Sequence, residues 1–120
     1  LQQVFLNLIK NAVDAMAGDP ARASRLSVHT KMETDYHILR GAQGAQSYLR
    51  VEINDSGPGI DPEILAHVFE PFYTTKVRGT GLGLAIAQRI ISDHNGTIRA
   101  FPAEPHGTRM WVSLPIQKTP

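Results

Sequence analysis

Apolar residues fall at positions 1, 4, 5, 8, 12, 15 and 16, the three- and four-residue spacing that lays one stripe of an α-helix against a core. The spacing predicts a helix over residues 1–16, stopped by Gly18, Asp19 and Pro20. On its other side Gln3, Asn7, Lys10, Asn11 and Asp14 gather within an arc of about 100°, with Asn11 nearest the apolar border. Two β-rich runs follow, residues 25–34 and 47–54, and the polar stretch between them, with Gly41 and Gly44, makes them a hairpin. Asp61 as N-cap and Pro62 at the first helical position open a short helix to about residue 68. Residues 70–81 have no period and read as a loop. A second amphipathic helix runs over residues 82–94, with Leu82, Ile86 and Ile90 on one stripe and Asn95-Gly96 closing it. Residues 97–101 and 109–116 give a second strand pair, in which Met110, Val112 and Leu114 alternate with Trp111 and Ser113. The economical architecture is α+β: a mostly antiparallel sheet with helices packed on one face.

Composition narrows the chemistry more than the fold. The 120 residues are 42% hydrophobic and 19% charged, enough for one domain with one core, spanning residues 1–120. Cysteine is absent, which removes disulfides, thiolate chemistry and cysteine zinc sites. A net charge of +1, with no basic run or aromatic platform, gives no electrostatic case for nucleic acid. No stretch approaches the roughly 18 apolar residues that span a bilayer, and no signal-peptide pattern opens the chain. A cytoplasmic, monomeric domain without membrane contact is expected. The chain begins inside a helical pattern without methionine, so it reads as a fragment of something longer, with apolar surface near Leu1, Val4 and Phe5 expected to be uncovered.

The polar positions carry the functional signal. Asn54-Asp55-Ser56-Gly57-Pro58-Gly59-Ile60 and Gly79-Thr80-Gly81-Leu82-Gly83-Leu84 are two glycine clusters at the ends of regular elements, where backbone can approach a ligand closely. A carboxylate beside the first could accept a hydrogen bond from an amine. The second opens a helix whose free N–H groups suit phosphate oxygens. Together they suggest a nucleotide pocket. The dinucleotide fingerprint fails, because Leu84 stands where its third glycine belongs and a polar loop replaces its leading strand. A P-loop fails for want of a lysine after a candidate glycine. The eukaryotic-type protein kinase set fails because its Asp motifs are missing downstream of Gly83. Asn7 and Asn11, one turn apart on a helix, are read either as a solvated face or as amides offered to a ligand or metal.

Five motifs in order resemble the catalytic domain of sensor histidine kinases. Leu6-Asn7-Leu8-Ile9-Lys10-Asn11-Ala12 is similar to the N box and Asp55-Ser56-Gly57-Pro58-Gly59 to the G1 box. Phe69-Glu70-Pro71-Phe72 is similar to the F box and Gly79-Thr80-Gly81-Leu82-Gly83-Leu84 to the G2 box. Gly107-Thr108 resembles the terminal glycine-threonine element, and Phe69 to Lys76 the nitrogen-regulation type. The resemblance implies the two-layer α/β sandwich of the GHKL (Bergerat) ATPases, with a mixed, mostly antiparallel sheet, binding ATP and Mg2+. It implies that Asp55 accepts from the adenine amino group, that Gly57 and Gly59 pass close to the purine and that Ile60 packs on it. It places the metal ion on Asn11, with Asn7 toward the phosphates or a metal-bound water. The G2-box residues Gly79, Thr80, Gly81, Leu82, Gly83 and Leu84 would hold the β- and γ-phosphates, and Thr108 would reach adenine through its hydroxyl or a water. Residues 71–79 would form a lid anchored by Phe69 and Phe72.

Departures from the family's pattern refine this picture. The related hydrolysing ATPases carry a glutamate at the position of Asn7, and an amide cannot act as a general base, which favours transfer over hydrolysis. Asp14 stands where many sensor kinases have lysine, so Lys76 and Arg78 become the cationic candidates for the phosphates. His29, His37, His67, His94 and His106 lack a phosphoacceptor context and are read as surface or core. The implied partners are a dimerisation and histidine phosphoacceptor domain, absent from this chain, and a response regulator. Two other readings stay open: a GHKL ATPase that hydrolyses ATP, and a nucleotide-sensing domain that binds it without transfer.

Overall fold

Helix α1 (Gln2–Met16) buries Val4, Leu8 and Ala12, a single i, i+4, i+8 stripe. The computed structural model describes residues 1–17, 24–39, 42–72 and 83–116. Strands β1 (Leu26–Leu39) and β2 (Ala42–Asp55) form the hairpin. Helix α2 (Pro62–Leu65) is a single turn, and α3 (Gly83–Asp93) leads into β3 (Thr97–Pro102) and β4 (Thr108–Pro115). The sheet order is β1-β2-β4-β3, and each described pairing is antiparallel.

Alternation along the strands divides the sheet into two unlike faces. Val51, Ile53, Ile98, Met110 and Val112 point toward α1 and α3, where they meet Val4, Leu8, Ala87 and Ile91 in one core. The opposite face carries Trp111, with the Arg50 guanidinium 4.2 Å from its ring centre and the Phe101 ring centre 4.8 Å away. Arg50 also pairs with Glu33 across β1 and β2. Cation–π stacking and ion pairs cover this face, which no described helix packs against.

Four expectations shift in detail. The hairpin strands are 14 residues each, longer than their β-rich runs, and Gly44 pairs with His37 inside the ladder. Cross-strand hydrogen bonding extends the strands through residues such as Gln43, Gly44 and Gln46 whose side chains give no β signal. Helix α2 stops at Leu65, after which His67 and Val68 take tighter three-residue bonds to Ile64 and Leu65. In α3 the buried residues are Ala87 and Ile91, with Leu84 and Ile90 partly buried, and Ile86 is 39% exposed. The stripe through Leu82, Ile86 and Ile90 is therefore rotated by about one residue, or 100°. Lastly, Val4 is fully buried and Phe5 packs against the core, so of the apolar residues expected to be uncovered near the start only Leu1 is exposed.

The helix ends follow the local chemistry read from sequence. The Asp61 side chain accepts from the Glu63 N–H at 2.9 Å, an N-cap with Pro62 just inside. Asn95 closes α3 in the left-handed region at φ 61°, where the Gly96 N–H reaches Ile91 O and the Asn95 N–H reaches Ser92 O. Both fix where the sheet and the turn after β2 meet the helices.

Candidate nucleotide site

The last residue of β2 is Asp55, and its cross-strand partner is Thr108, the first residue of β4. Strand pairing thus brings together the G1-like and the terminal glycine-threonine segments, which are 53 positions apart in number, 108 against 55. Gly57 N–H donates to Asp55 Oδ1 at 2.9 Å, and the Thr108 N–H also points at the carboxylate. Burial nevertheless pushes the Asp55 carboxyl above its ordinary value, and these two backbone donors only partly oppose it. Thr108 is 5% exposed and is the one buried polar or charged residue among those described.

The turn after Asp55 is held from three sides. Ser56 and Arg25 exchange hydrogen bonds, the Ser56 N–H to Arg25 O at 3.0 Å and the Arg25 N–H to Ser56 Oγ at 2.7 Å. The end of α1 closes a second side: a Cβ on Gly57 would stand 3.3 Å from Ala15 O and 3.0 Å from Asp55 Oδ1. From the third side, His106 Nδ1 lies 3.1 Å from Gly57 O. The loop between β3 and β4 approaches so closely that a Cβ on Gly107, at φ +111°, would overlap Asp55 O. Only glycine meets both demands there. Gly59 and Ile60 follow in the same turn, Ile60 half-buried. A cleft of about 470 Å³ runs along the turn, lined by residues 58–61 and 102–107, without reaching Asp55, Asn7 or Asn11.

Helix α1 presents Asn7 and Asn11, both half-buried, beside the start of α3. Asn7 Nδ2 donates to Gly83 O at 3.4 Å, so the first amide ties the N-box-like helix to the last glycine of the G2-like cluster. Among the described residues, a Cβ on Gly83 would meet nothing within 4 Å. Leu84 packs against the core. Lys76, Arg78, Gly79, Thr80, Gly81 and Leu82 lie outside the described residues. Phe69 packs against the core as an anchor should, whereas Phe72 is 76% exposed with φ 66° and anchors nothing described.

Sequence reading missed His106 as part of this site. Its signal was position alone, immediately before Gly107-Thr108, since a lone histidine in a polar loop has no motif. No group of three or more His, Cys, Asp or Glu that could hold a metal ion occurs among the described residues. The donors on α1 are amides, and an amide oxygen is a hard ligand that suits magnesium when phosphate oxygens and water supply the rest.

Comparison with known proteins agrees with this fold. Residues 1–118 match the family described as histidine kinase-, DNA gyrase B- and HSP90-like ATPase. The sensory histidine kinase/phosphatase NtrB of Rhodobacter capsulatus is 42% identical over 117 residues, covering 97% of this chain and 32% of that protein. The signal transduction histidine-protein kinase AtoS of Escherichia coli is 37% identical over 116 residues, 97% of this chain and 17% of its own length. The chain therefore spans a third or less of these relatives. Among solved structures, the mycobacterial sensor histidine kinase MprB superposes with a TM-score of 0.73 at 28% identity, over 94% of this chain and 70% of that one. The catalytic domain of the histidine kinase ThkA gives 0.62 at 32% identity, over 94% and 64%. The match over nearly the whole chain, relatives at 42% and 37% identity and a shared fold lead to one assignment: the chain belongs to the histidine kinase-, gyrase B- and HSP90-like ATPase family, as an ATP-binding catalytic domain of the sensor histidine kinase kind.

Proposed function

We propose that this domain binds Mg-ATP and transfers the γ-phosphoryl group to a histidine on a separate helical domain, for relay to an aspartate of a response regulator. The observation that carries the reading is Asp55, a carboxylate kept half-buried where burial opposes its charge. Such a group is expensive to maintain without a ligand to use it. Two of its acceptor positions take the Gly57 and Thr108 N–H groups, and a carboxylate has about four. A remaining lone pair can accept from the exocyclic amine of adenine, with Ile60 against the ring and Gly59 beside it.

Asn11 would hold the metal ion through its amide oxygen, with Asn7 nearer the phosphates. The ion, when bound, neutralises phosphate charge. The backbone N–H groups of residues 79–84 would receive the β- and γ-phosphates, with Lys76 and Arg78 as the candidate cations. In the transfer, a lone pair on the acceptor imidazole nitrogen attacks phosphorus and the bond to the bridging oxygen of ADP breaks. The proton on the other ring nitrogen passes to a carboxylate beside the acceptor histidine. Positioning and charge neutralisation suffice for this step, so the domain needs no nucleophile of its own. Similarity to ShkA, whose full-length structure is a complex with AMPPNP, supports an adenine nucleotide as ligand. No described helix is long and apolar enough to cross a membrane, and we place the domain in the cytoplasm.

Titration calorimetry tests the base end of the site. Asp55→Ala removes a charge-assisted hydrogen bond, about 1.5–3 kcal/mol or roughly ten- to a hundred-fold in ATP affinity. Unchanged affinity in a folded variant would remove Asp55 from the adenine site.

A further inference from the structure

We infer that His106 is a positioning residue of the adenine site, which fixes the turn after β2 by donating from Nδ1 to the Gly57 carbonyl. The inference rests on the reading that Asp55 binds the base.

Gly57 is gripped at both ends of its peptide units. Its N–H donates to Asp55 Oδ1 at 2.9 Å, and its C=O faces His106 Nδ1 at 3.1 Å. The first bond orients the carboxylate; the second orients the residue that orients the carboxylate. If the Gly57 peptide swings, Oδ1 loses a donor and the oxygen left for the base changes direction. Nothing in Gly57 itself resists that motion, because a residue without Cβ has wide backbone freedom. Ser56, the residue before it, is tied to Arg25 and Met16.

The loop that carries His106 is itself well placed to act as a fixed support. Ala103 N–H donates to Gly107 O at 3.0 Å, closing the loop on itself. Gly107 is wedged against Asp55 O, and the next residue, Thr108, pairs with Asp55 and directs its own N–H to the carboxylate. Three consecutive residues, 106 to 108, thus address the Asp55–Gly57 turn through a side chain, a close backbone approach and a backbone donor. The carbonyl acceptor fixes what His106 must supply, namely an N–H at the δ position. Asparagine presents an N–H at the same distance along its side chain, whereas alanine and leucine present none.

The test measures binding of ATP, adenosine and GTP by calorimetry to the wild-type protein and to His106→Ala, His106→Leu, His106→Asn and Asp55→Ala. Loss of His106 should weaken ATP and adenosine by the same factor, about three- to ten-fold for one neutral hydrogen bond. Equal factors locate the effect at the base, and the preference for ATP over GTP should fall with it. His106→Asn should restore both affinity and preference, with thermal midpoints of all three variants close to wild type. Undiminished affinity in His106→Ala, while Asp55→Ala loses it, overturns the inference and leaves the adenine site standing. Failure of His106→Asn to rescue, or a loss of ATP affinity without loss of adenosine affinity, overturns it as well. Intact ATP binding in Asp55→Ala instead removes the adenine reading on which the inference rests.

Discussion

A half-buried carboxylate at a strand end lowers the stability of the chain that contains it, and Asp55 makes that tension measurable. Burial holds its carboxyl above the ordinary value of 3.8 in the folded chain. Between that value and the raised one, the folded state binds more protons than the unfolded state, so stability falls as pH rises through the window. Below the window Asp55 is neutral in both states, and above it the penalty for its charge is constant. Asp55→Asn has no proton to exchange. The unfolding free energy of wild type minus that of Asp55→Asn should therefore decline as pH rises above the ordinary value of 3.8 and then level off. Urea melts at a series of pH values check this, and a difference that rises with pH would mean that the backbone donors outweigh burial. The aspartate and its glycines were legible in the sequence because turn chemistry and ligand chemistry both call for them at a strand end. His106 was not, since its role depends on the β2–β4 register, which brings residue 106 beside residue 57.

Elements were legible where period and punctuation agreed. Helix α1 has a buried stripe at Val4, Leu8 and Ala12, and Asp61-Pro62 and Asn95-Gly96 mark an N-cap and a left-handed close as written. The facing of α3 was less legible because apolar residues surround it: Leu84, Ala85, Ile86, Ala87, Ile90 and Ile91 leave several stripes almost equal. Packing chooses Ala87 and Ile91, both with no exposure, and leaves Ile86 outside. The small Ala87 lets the helix lie close to its neighbours, and that choice is tertiary, invisible to periodicity. Ile91→Ala should cost about 2–5 kcal/mol, as deletion of a fully buried branched chain does. Ile86→Gln should stay within about 0.5 kcal/mol, as surface changes do. Denaturant midpoints of the two variants decide the facing, and the reverse order would restore the stripe through Ile86.

At the scale of the whole molecule, the sheet acts as the scaffold that collects distant segments. Its order β1-β2-β4-β3 sets the end of β2 beside the start of β4, while the core fixes α1 and α3 side by side above it, with Asn7 bonded to Gly83. The order of motifs conveyed which segments would meet; strand lengths and the Arg50–Trp111 stack on the far face arise from pairing that no single segment displays. A pocket assembled in this way holds nucleotide but contains no group at Asn7 able to deprotonate water. The central claim is therefore transfer rather than hydrolysis. The most direct measurement incubates the chain with radiolabelled Mg-ATP, alone and with a histidine-bearing helical acceptor domain, and follows label and free phosphate. The account predicts base-stable, acid-labile label on the helical domain and little free phosphate from the chain alone; rapid phosphate release by the chain alone, with no label on the helical domain, would contradict it.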